Sequence, residues 1–525
     1  MRKLLSVMML MGVSVAFAQY EGELKPLKGI EYKAEAQVSV SDGHTPLWLN
    51  ANKYGLSSLE KTNGYMRASA IRPLAVDSGR RWGLGYGLDV AAAYHYTSKP
   101  IIQQAFVEGR WLHGALSIGS KEYPMELKNN RLSSGSQALG INARPVPQVR
   151  LSLPDYWIVP IFNGWLRLKG HIAYGKTTDD NWQKDFSRQA SHYSKDVLFH
   201  SKAGYLKIGN EDVFFPLSVE LGLEMASMFG GTSYNWVNGE MTPLQARSNL
   251  KAFYRAFVPG GGEVDEQGSA FMNEEGNHLG SWLLRVNYDA DTWRFSVYAD
   301  KYFEDHSSML QVDYDGYGEG EEWNVKKKHR YLLYDFKDCL LGGELNLKYG
   351  SWLRDIVFEY VYTKYQSGPV YHDHNATWQD HVSGRDNFYN HYFSSGWQHW
   401  GQVMGNPLYL SPIYNEDGTI EVKNNRFMAF HLGVDGNILE NLDYRLLASW
   451  QDGVGTYIKP YTCRRYNTSF LVEANYHFIQ PKLRGWSIRG AYAMDFGKIR
   501  GNNAGFQLTI TKTGLLTKRP DEKEP

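Results

Sequence analysis

The sequence predicts an all-β fold: a transmembrane antiparallel β-barrel of about eighteen strands, with helical plug segments and long outer loops. Three observations carry this. Apolar and polar residues alternate over stretches longer than soluble strands use, no apolar run is long enough for a membrane helix, and the connections alternate in length. The stretch "WGLGYGLDVAAAYHY" (82–96) shows the first. Trp82, Leu84, Tyr86, Leu88, Val90, Ala92, Tyr94 and Tyr96 share one face, and Gly83, Gly85, Gly87, Asp89, Ala91, Ala93 and His95 the other. That is the period of two that marks a strand. From Trp82 to Tyr94 such a strand runs roughly 40 Å at about 3.3 Å per residue. Tilted by about 40°, it projects to roughly 30 Å, close to the apolar band of an outer-membrane barrel with aromatic girdles at both rims.

At the N-terminus, Arg2 and Lys3 precede an apolar run from Leu4 to Val15 and then "AFA" (16–18). This pattern reads as a secretory signal over 1–18, leaving a mature chain from Gln19. No cysteine follows the cleavage point, which argues against a lipoprotein anchor. Beyond it no run of about eighteen apolar residues occurs and the mean hydropathy is -0.47, so helical spans are excluded. Strand candidates follow at 32–40, 64–75, 82–97, 101–112, 114–122, 147–153, 164–175, 196–208, 214–229, 279–289, 291–303, 333–349, 354–366, 426–437, 443–451, 466–479, 484–496 and 502–512. In "NTSFLVEANYHF", for example, Phe470, Val472, Ala474, Tyr476 and Phe478 oppose Leu471, Glu473, Asn475 and His477. So many long apolar faces exceed what one soluble core can bury. A closed barrel turns them to lipid and leaves no backbone group unpaired.

Short connections at 77–80, 289–292, 350–353 and 440–443 alternate with long ones near 230–278, 304–332 and 367–425. Short periplasmic turns and long outer loops are the barrel habit, and an even strand count puts both termini inside. One barrel domain thus covers 19–512, and 513–525 is a charged tail whose end, "KRPDEKEP", lacks the terminal aromatic many barrels carry. Within the long connection at 230–278, the spacing predicts a helix over 243–257. Thr242 would cap it, Pro243 would take its first position, and Ala246, Leu250, Phe253 and Phe257 would share a face. Such a helix either plugs the barrel or lies on a loop surface.

Lys+Arg and Asp+Glu both number 56, a balance that suggests neither a nucleic-acid binder nor a polybasic lipid anchor. Cys339 and Cys463 read as separate buried or lipid-facing thiols rather than a disulfide framework. "GHIAYGKT" (170–177) matches a phosphate-loop string, but its glycines lie inside an alternating stretch instead of between a strand and a helix, so nucleotide binding is set aside. No nucleophile elbow, zinc-protease motif or cysteine-rich metal spacing occurs, and no cofactor or catalytic residue is assigned. The richest chemistry lies in "HDHNATWQDHVSGRDNFYNHYFSSGWQHW" (372–400), with His372, His374, His381, His391 and His399 among aromatics. Its spacing fits no standard metal site. Two readings stay open: flat rings stacking on sugar faces beside polar groups, or a loop packed into the lumen.

Two stretches near the start, "HTPLWLNANKYGLSS" (44–58) and "SSGSQALGINARPVPQVRLSLPDYWIVPIFNGWLRLKGHIAYG" (133–175), resemble signatures of the capsule assembly Wzi family. "FSSGWQHWGQVMGNPLYLSP" (393–412) resembles that family's late Gly- and aromatic-rich segment. The resemblance covers nearly the whole mature chain. It implies an outer-membrane barrel of a diderm bacterium, with a helical bundle plugging the periplasmic end and loops closing the outer mouth. It also implies a lectin-like role: holding capsular or exopolysaccharide at the surface without chemistry. Candidate polysaccharide contacts are then Trp378, Tyr389, Tyr392, Trp397 and Trp400. The family-like residues Trp48, Asn50, Tyr54, Arg144 and Arg150 are expected to be structural, anchoring the plug. Expected partners are the polysaccharide, outer-membrane lipid and the capsule export machinery, with the protein a monomer. An open porin for small solutes and a barrel enzyme acting on envelope lipid or glycan are the rival readings.

Overall fold

The structure is a computed structural model. It describes residues 25–517 except 189–190, 211–212, 214, 238, 259–275, 305–311, 314–330, 333–336 and 372–381. The proposed signal at 1–18, Trp378, His372, His374, His381 and the tail end at 518–525 therefore lie outside the described residues.

Eighteen antiparallel strands form one closed sheet. In chain order they are β1 (Glu31–Asp42), β2 (Thr62–Arg72), β3 (Trp82–Tyr94), β4 (Pro100–Trp111), β5 (Gly114–Ser120), β6 (Gln148–Ile158), β7 (Leu166–Lys176), β8 (Leu198–Ile208), β9 (Leu217–Phe229), β10 (Asn277–Asp289), β11 (Trp293–Glu304), β12 (Cys339–Leu347), β13 (Asp355–Tyr362), β14 (Phe427–Leu439), β15 (Leu442–Gly455), β16 (Pro460–His477), β17 (Trp486–Gly497) and β18 (Asn503–Leu515). The ring closes where β1 pairs with β18, from Glu31 opposite Leu515 to Asp42 opposite Ala504. Closure removes every edge, which is what lets polar backbone sit in hydrocarbon.

The alternation resolves as expected. In β3, Leu88 is 55% exposed on the outer wall while its neighbour Asp89 is 1% exposed within. Val38, Met66, Ile102, Val107, Ile118, Leu151 and Val472 face out; Glu35, Glu108, Glu224, Asp300, Glu359 and Glu473 face in. Ring pairs such as Trp82 with Trp111 (6.0 Å) and Tyr288 with Trp293 (5.5 Å) mark one rim, and Trp450 with Tyr466 (5.9 Å) the other.

Each strand candidate overlaps a barrel strand, and the ends differ for physical reasons. β6 continues past Leu153 to Ile158 because the register shift between Leu153 and Trp157 absorbs Pro154, which has no N–H to give the ladder. β18 runs to Leu515 instead of ending at 512, since its last residues pair with Glu31 and Tyr32 of β1. The two cysteines are free thiols.

The helix expected at 243–257 is shorter. Residues 240–245 form an edge strand against 232–237, with Pro243 opposite Tyr234; an edge tolerates a residue with no N–H. Asn249, not Thr242, caps the helix by accepting from the Ala252 N–H (3.0 Å). The helix itself spans Leu250–Phe257. Phe253 packs on Phe229 at 5.2 Å, while Leu250 points to solvent.

All long connections leave one end of the barrel, together with three short ones at 95–99, 456–459 and 498–502, while both termini and the remaining turns, none longer than about nine residues, lie at the other. By the barrel habit the long-connection end is the outer mouth. The helical bundle implied for the periplasmic end is not found among the described residues. The α-helices there, Leu47–Asn50, Asp180–Phe186 and Leu250–Phe257, all belong to long connections. The lumen is instead filled from the mouth side, largely by irregular chain.

Candidate functional site

An inner wall studded with carboxylates needs partners, and the connection 121–147 brings them. It leaves β5 at the mouth and dives through the lumen toward the short-turn end. Its stretch "KNNR" (128–131) supplies the tip. Lys128 pairs with Asp300 of β11 at 2.5 Å, the two side chains being 2% and 0% exposed. Arg131 pairs with Asp443 (2.7 Å) and Asp435 (3.0 Å), and Asn129 donates to Glu344 (3.0 Å). Glu359 accepts from the Ser133 hydroxyl (2.6 Å) and the Ser134 N–H (2.7 Å). His431 holds the Leu132 carbonyl at 2.8 Å. Charged groups so buried persist only when paired and hydrogen-bonded.

The second layer is 385–426, lying across the first. Tyr389 is fully buried, stacks on Tyr409 (4.0 Å) and donates to the Gln137 carbonyl. Trp397 is 1% exposed, donates to the Ala138 carbonyl (2.9 Å) and stacks on Phe199 (5.8 Å). Both rings are buried within the plug, so neither is presented to solvent at the mouth.

The third layer is the connection 43–61. Trp48 lies on the helix Leu47–Asn50 with its ring 4.9 Å from that of His431, and the Leu47 N–H donates to Asp495 (3.0 Å). Asn50 reaches the Tyr414 hydroxyl at 3.5 Å. Tyr54, in the left-handed region at φ 50°, donates to the Tyr123 carbonyl (3.2 Å). Next to it Gly55 has φ 68°, and a side chain there would collide with the Arg144 backbone. Only glycine allows these two segments to meet so closely. Arg150, on β6, lays its guanidinium 3.9 Å from the Tyr123 ring. It borders a narrow internal cavity of about 110 Å³, shared with Tyr54, Lys121, Arg144 and Trp397.

At the mouth, Trp400 and Tyr392 remain accessible. Trp400 is held in the left-handed region (φ 55°) by its N–H to Asp179 (3.0 Å) and its indole N–H to Thr178 (3.1 Å). The Arg144 guanidinium covers one ring face at 4.1 Å and is itself held by Ser98 and Thr97, both at 3.2 Å. Burial pulls Arg144 down to about 10, against the opposing charge of Asp179, so it stays cationic at neutral pH. His399 grips both sides of this node, touching the Arg144 carbonyl (2.7 Å) and the Thr178 N–H (3.1 Å). Tyr392 is 70% exposed beside His391. An exposed ring, a cation–π pair and hydroxyl-bearing Thr97, Ser98 and Thr178 form a surface with stacking and hydrogen-bonding capacity. No group of three or more metal-ligating side chains gathers among the described residues.

The structure thus places Tyr392 and Trp400 at the mouth, Tyr389 and Trp397 inside the plug, and the five family-like residues within or against it. Sequence reasoning missed the anchors Lys128, Arg131, Asp300 and Glu359. Their signal was present as inward carboxylates on alternating strands and a Lys/Arg/Asn run in a long connection. Nothing local tied one to the other.

No family model matches the sequence, and no curated protein matches it. Among solved structures, the fold is similar to Wzi of Escherichia coli, an outer-membrane protein involved in group 1 capsule assembly and a carbohydrate-binding β-barrel. That match has a TM-score of 0.52 at 11% identity, covering 92% of this chain and 84% of that one. OprD of Pseudomonas aeruginosa matches with a TM-score of 0.45 at 10% identity, covering 95% and 99%. OccAB2 of Acinetobacter baumannii matches with 0.48 at 9% identity, covering 95% and 100%. The chain has the fold of an outer-membrane β-barrel.

Proposed function

We propose that this barrel binds a capsular or exopolysaccharide at its outer mouth and retains it at the cell surface without making or breaking bonds. The observation that carries this reading is the mouth itself. Layered connections pack into the lumen from within, and above them Tyr392 is exposed and the Arg144-backed Trp400 half-exposed. A closed wall with a sugar-compatible surface suits a binder better than a conduit. The fold shared with a carbohydrate-binding barrel supports the same reading. In it Trp48, Asn50, Tyr54, Arg144 and Arg150 set the plug that positions the mouth. Trp378 joins Tyr392 and Trp400 as a proposed contact, while Tyr389 and Trp397 act through packing.

The test is surface-bound capsule, measured apart from shed polysaccharide, in a deletion strain carrying wild type or Tyr392→Ala/Trp400→Ala. We expect loss of the bound fraction in the deletion and a several-fold drop in the double variant. An unchanged bound fraction in the deletion strain overturns the role.

One observation favours a porin instead. A space of about 520 Å³ lined by Lys33, Arg67, Asp89 and Glu122 opens at the short-turn end, so the lumen is hollow there. Steady single-channel conductance in planar bilayers would support that reading over ours.

A further inference from the structure

The outer wall between β13 and β16 is layered by height. Register aligns outward-facing Tyr360, Phe430, Trp450 and Thr468 in one row, and Tyr362, Met428, Asp452 and Tyr466 in the next toward the mouth. Phe430, Trp450 and Tyr466 stack in series at about 6 Å, as an interfacial girdle does. Two residues beyond this row, roughly 6.6 Å along a strand, come Arg464 on the same face of β16 and, just past the ends of β13 and β14, Lys364 and Arg426. The row is knit together: Arg426 donates to the Lys364 carbonyl (3.0 Å), and its guanidinium lies 3.5 Å from the Tyr457 ring. Arg385 flanks the same ring at 5.1 Å. Lys337 adds a further cation over neighbouring Tyr365 (4.3 Å).

Two carboxylates beside these cations are engaged. Asp452 holds Lys364 at 2.5 Å, with Arg464 at 3.8 Å. Asp338 accepts the N–H groups of Tyr365 (3.0 Å) and Gln366 (2.7 Å). Arg464 keeps 67% of its side chain exposed. Cations on a solvated loop need no explanation. Arg464 stands on the outward face of β16 above the rings that mark the hydrocarbon boundary. Lys364 meets it across Asp452 and Arg426 is bonded to the Lys364 backbone, which sets these cations at the height where headgroups lie. Guanidinium is the side chain best shaped to grip a phosphate through paired N–H donors.

We propose that Arg385, Arg426 and Arg464, with Lys364, bind the phosphate groups of an outer-leaflet lipid. This patch is separate from the mouth residues of the proposed function, so either can fail alone. The test uses full-length protein in neutral detergent, with bisphosphorylated lipid A, the same lipid dephosphorylated, and inorganic phosphate as probes. Wild type should bind the phosphorylated lipid, weaken as salt rises, and ignore the other two at equal concentration. Arg426→Gln/Arg464→Gln should bind it about tenfold more weakly or worse. Arg426→Lys/Arg464→Lys should retain part of the binding. Arg465→Gln, whose guanidinium turns the other way onto Tyr461 (4.1 Å), should bind as wild type does. Equal binding of the dephosphorylated lipid, equal binding of inorganic phosphate, or unchanged affinity in the Gln variant overturns the proposal. If the Gln variant does not assemble a barrel, salt-independent binding by wild type overturns it instead.

Discussion

Replacing Lys128 by Met tests what holds the lumen closed. The ammonium lies in the lumen between Asp300 and the Tyr298 ring, 2.5 Å from the carboxylate and 5.8 Å from the ring centroid. Asp300 also accepts the Gln137 N–H (2.9 Å). Methionine keeps the length and removes the charge, so Asp300 is stranded. Breaking a buried pair this way costs about 3–5 kcal/mol. The cost falls on docking of 121–147, not on the barrel, because the hydrogen-bonded ring of strands is closed without it. At 1.4 kcal/mol per decade, the undocked population should rise by about a hundredfold or more. Single-channel recording in planar bilayers reads this directly: wild type silent, Lys128→Met showing intermittent openings. Lys128→Met/Asp300→Asn should return toward silence, since the uncharged amide still accepts from Gln137 and no stranded charge remains. If Lys128→Met is as silent as wild type and its 121–147 amides exchange no faster, the pair does not hold the plug. If wild type conducts steadily, the closed-lumen reading fails outright.

Leu88→Arg puts a charge on the lipid face near the middle of β3. It should destabilise the barrel by about 2–4 kcal/mol, read as a lower denaturant midpoint in vesicles; an unchanged midpoint would mean that face does not meet hydrocarbon. Tyr389→Phe removes a hydroxyl that donates to the Gln137 carbonyl and accepts the Asn406 N–H. It should cost about 1–3 kcal/mol of plug stability, seen as faster amide exchange at 135–140 and 404–408, and equal exchange would deny the two layers their coupling. The mouth histidines are held neutral by burial: His391 is pushed down to about 4, and His192 and His399 are also lowered, the last with Asp179 opposing. Their folded values lie below the unfolded value of about 6.5, so the stability they lend is full above it and is lost as pH falls from about 6.5 toward 4. His391 alone accounts for up to about 3 kcal/mol. Protease cleavage of the mouth connections should accelerate between pH 7 and pH 4.5 while the barrel persists, and a pH-independent rate would remove this account.

The alternation in "WGLGYGLDVAAAYHY" was enough, with length and the lack of a helical span, to state a barrel, its strand number and which face meets lipid. Those features follow from local periodicity and from the rule that hydrocarbon tolerates no unpaired backbone. Short and long connections were legible for the same reason, and the even strand count placed both termini at one end. What fills the barrel was not legible. Tyr389 and Trp397 looked like Tyr392 and Trp400 in the sequence, because composition says nothing about which ring another segment will cover. Lys128 and Asp300 are 172 positions apart. Thr242 and Pro243 carried a helix-start pattern that pairing with 232–237 overrode. Local chemistry fixes the wall of this protein; the plug, the mouth and the cation row outside it exist only once distant segments meet, since a buried charge or ring takes its role from partners that sequence distance conceals.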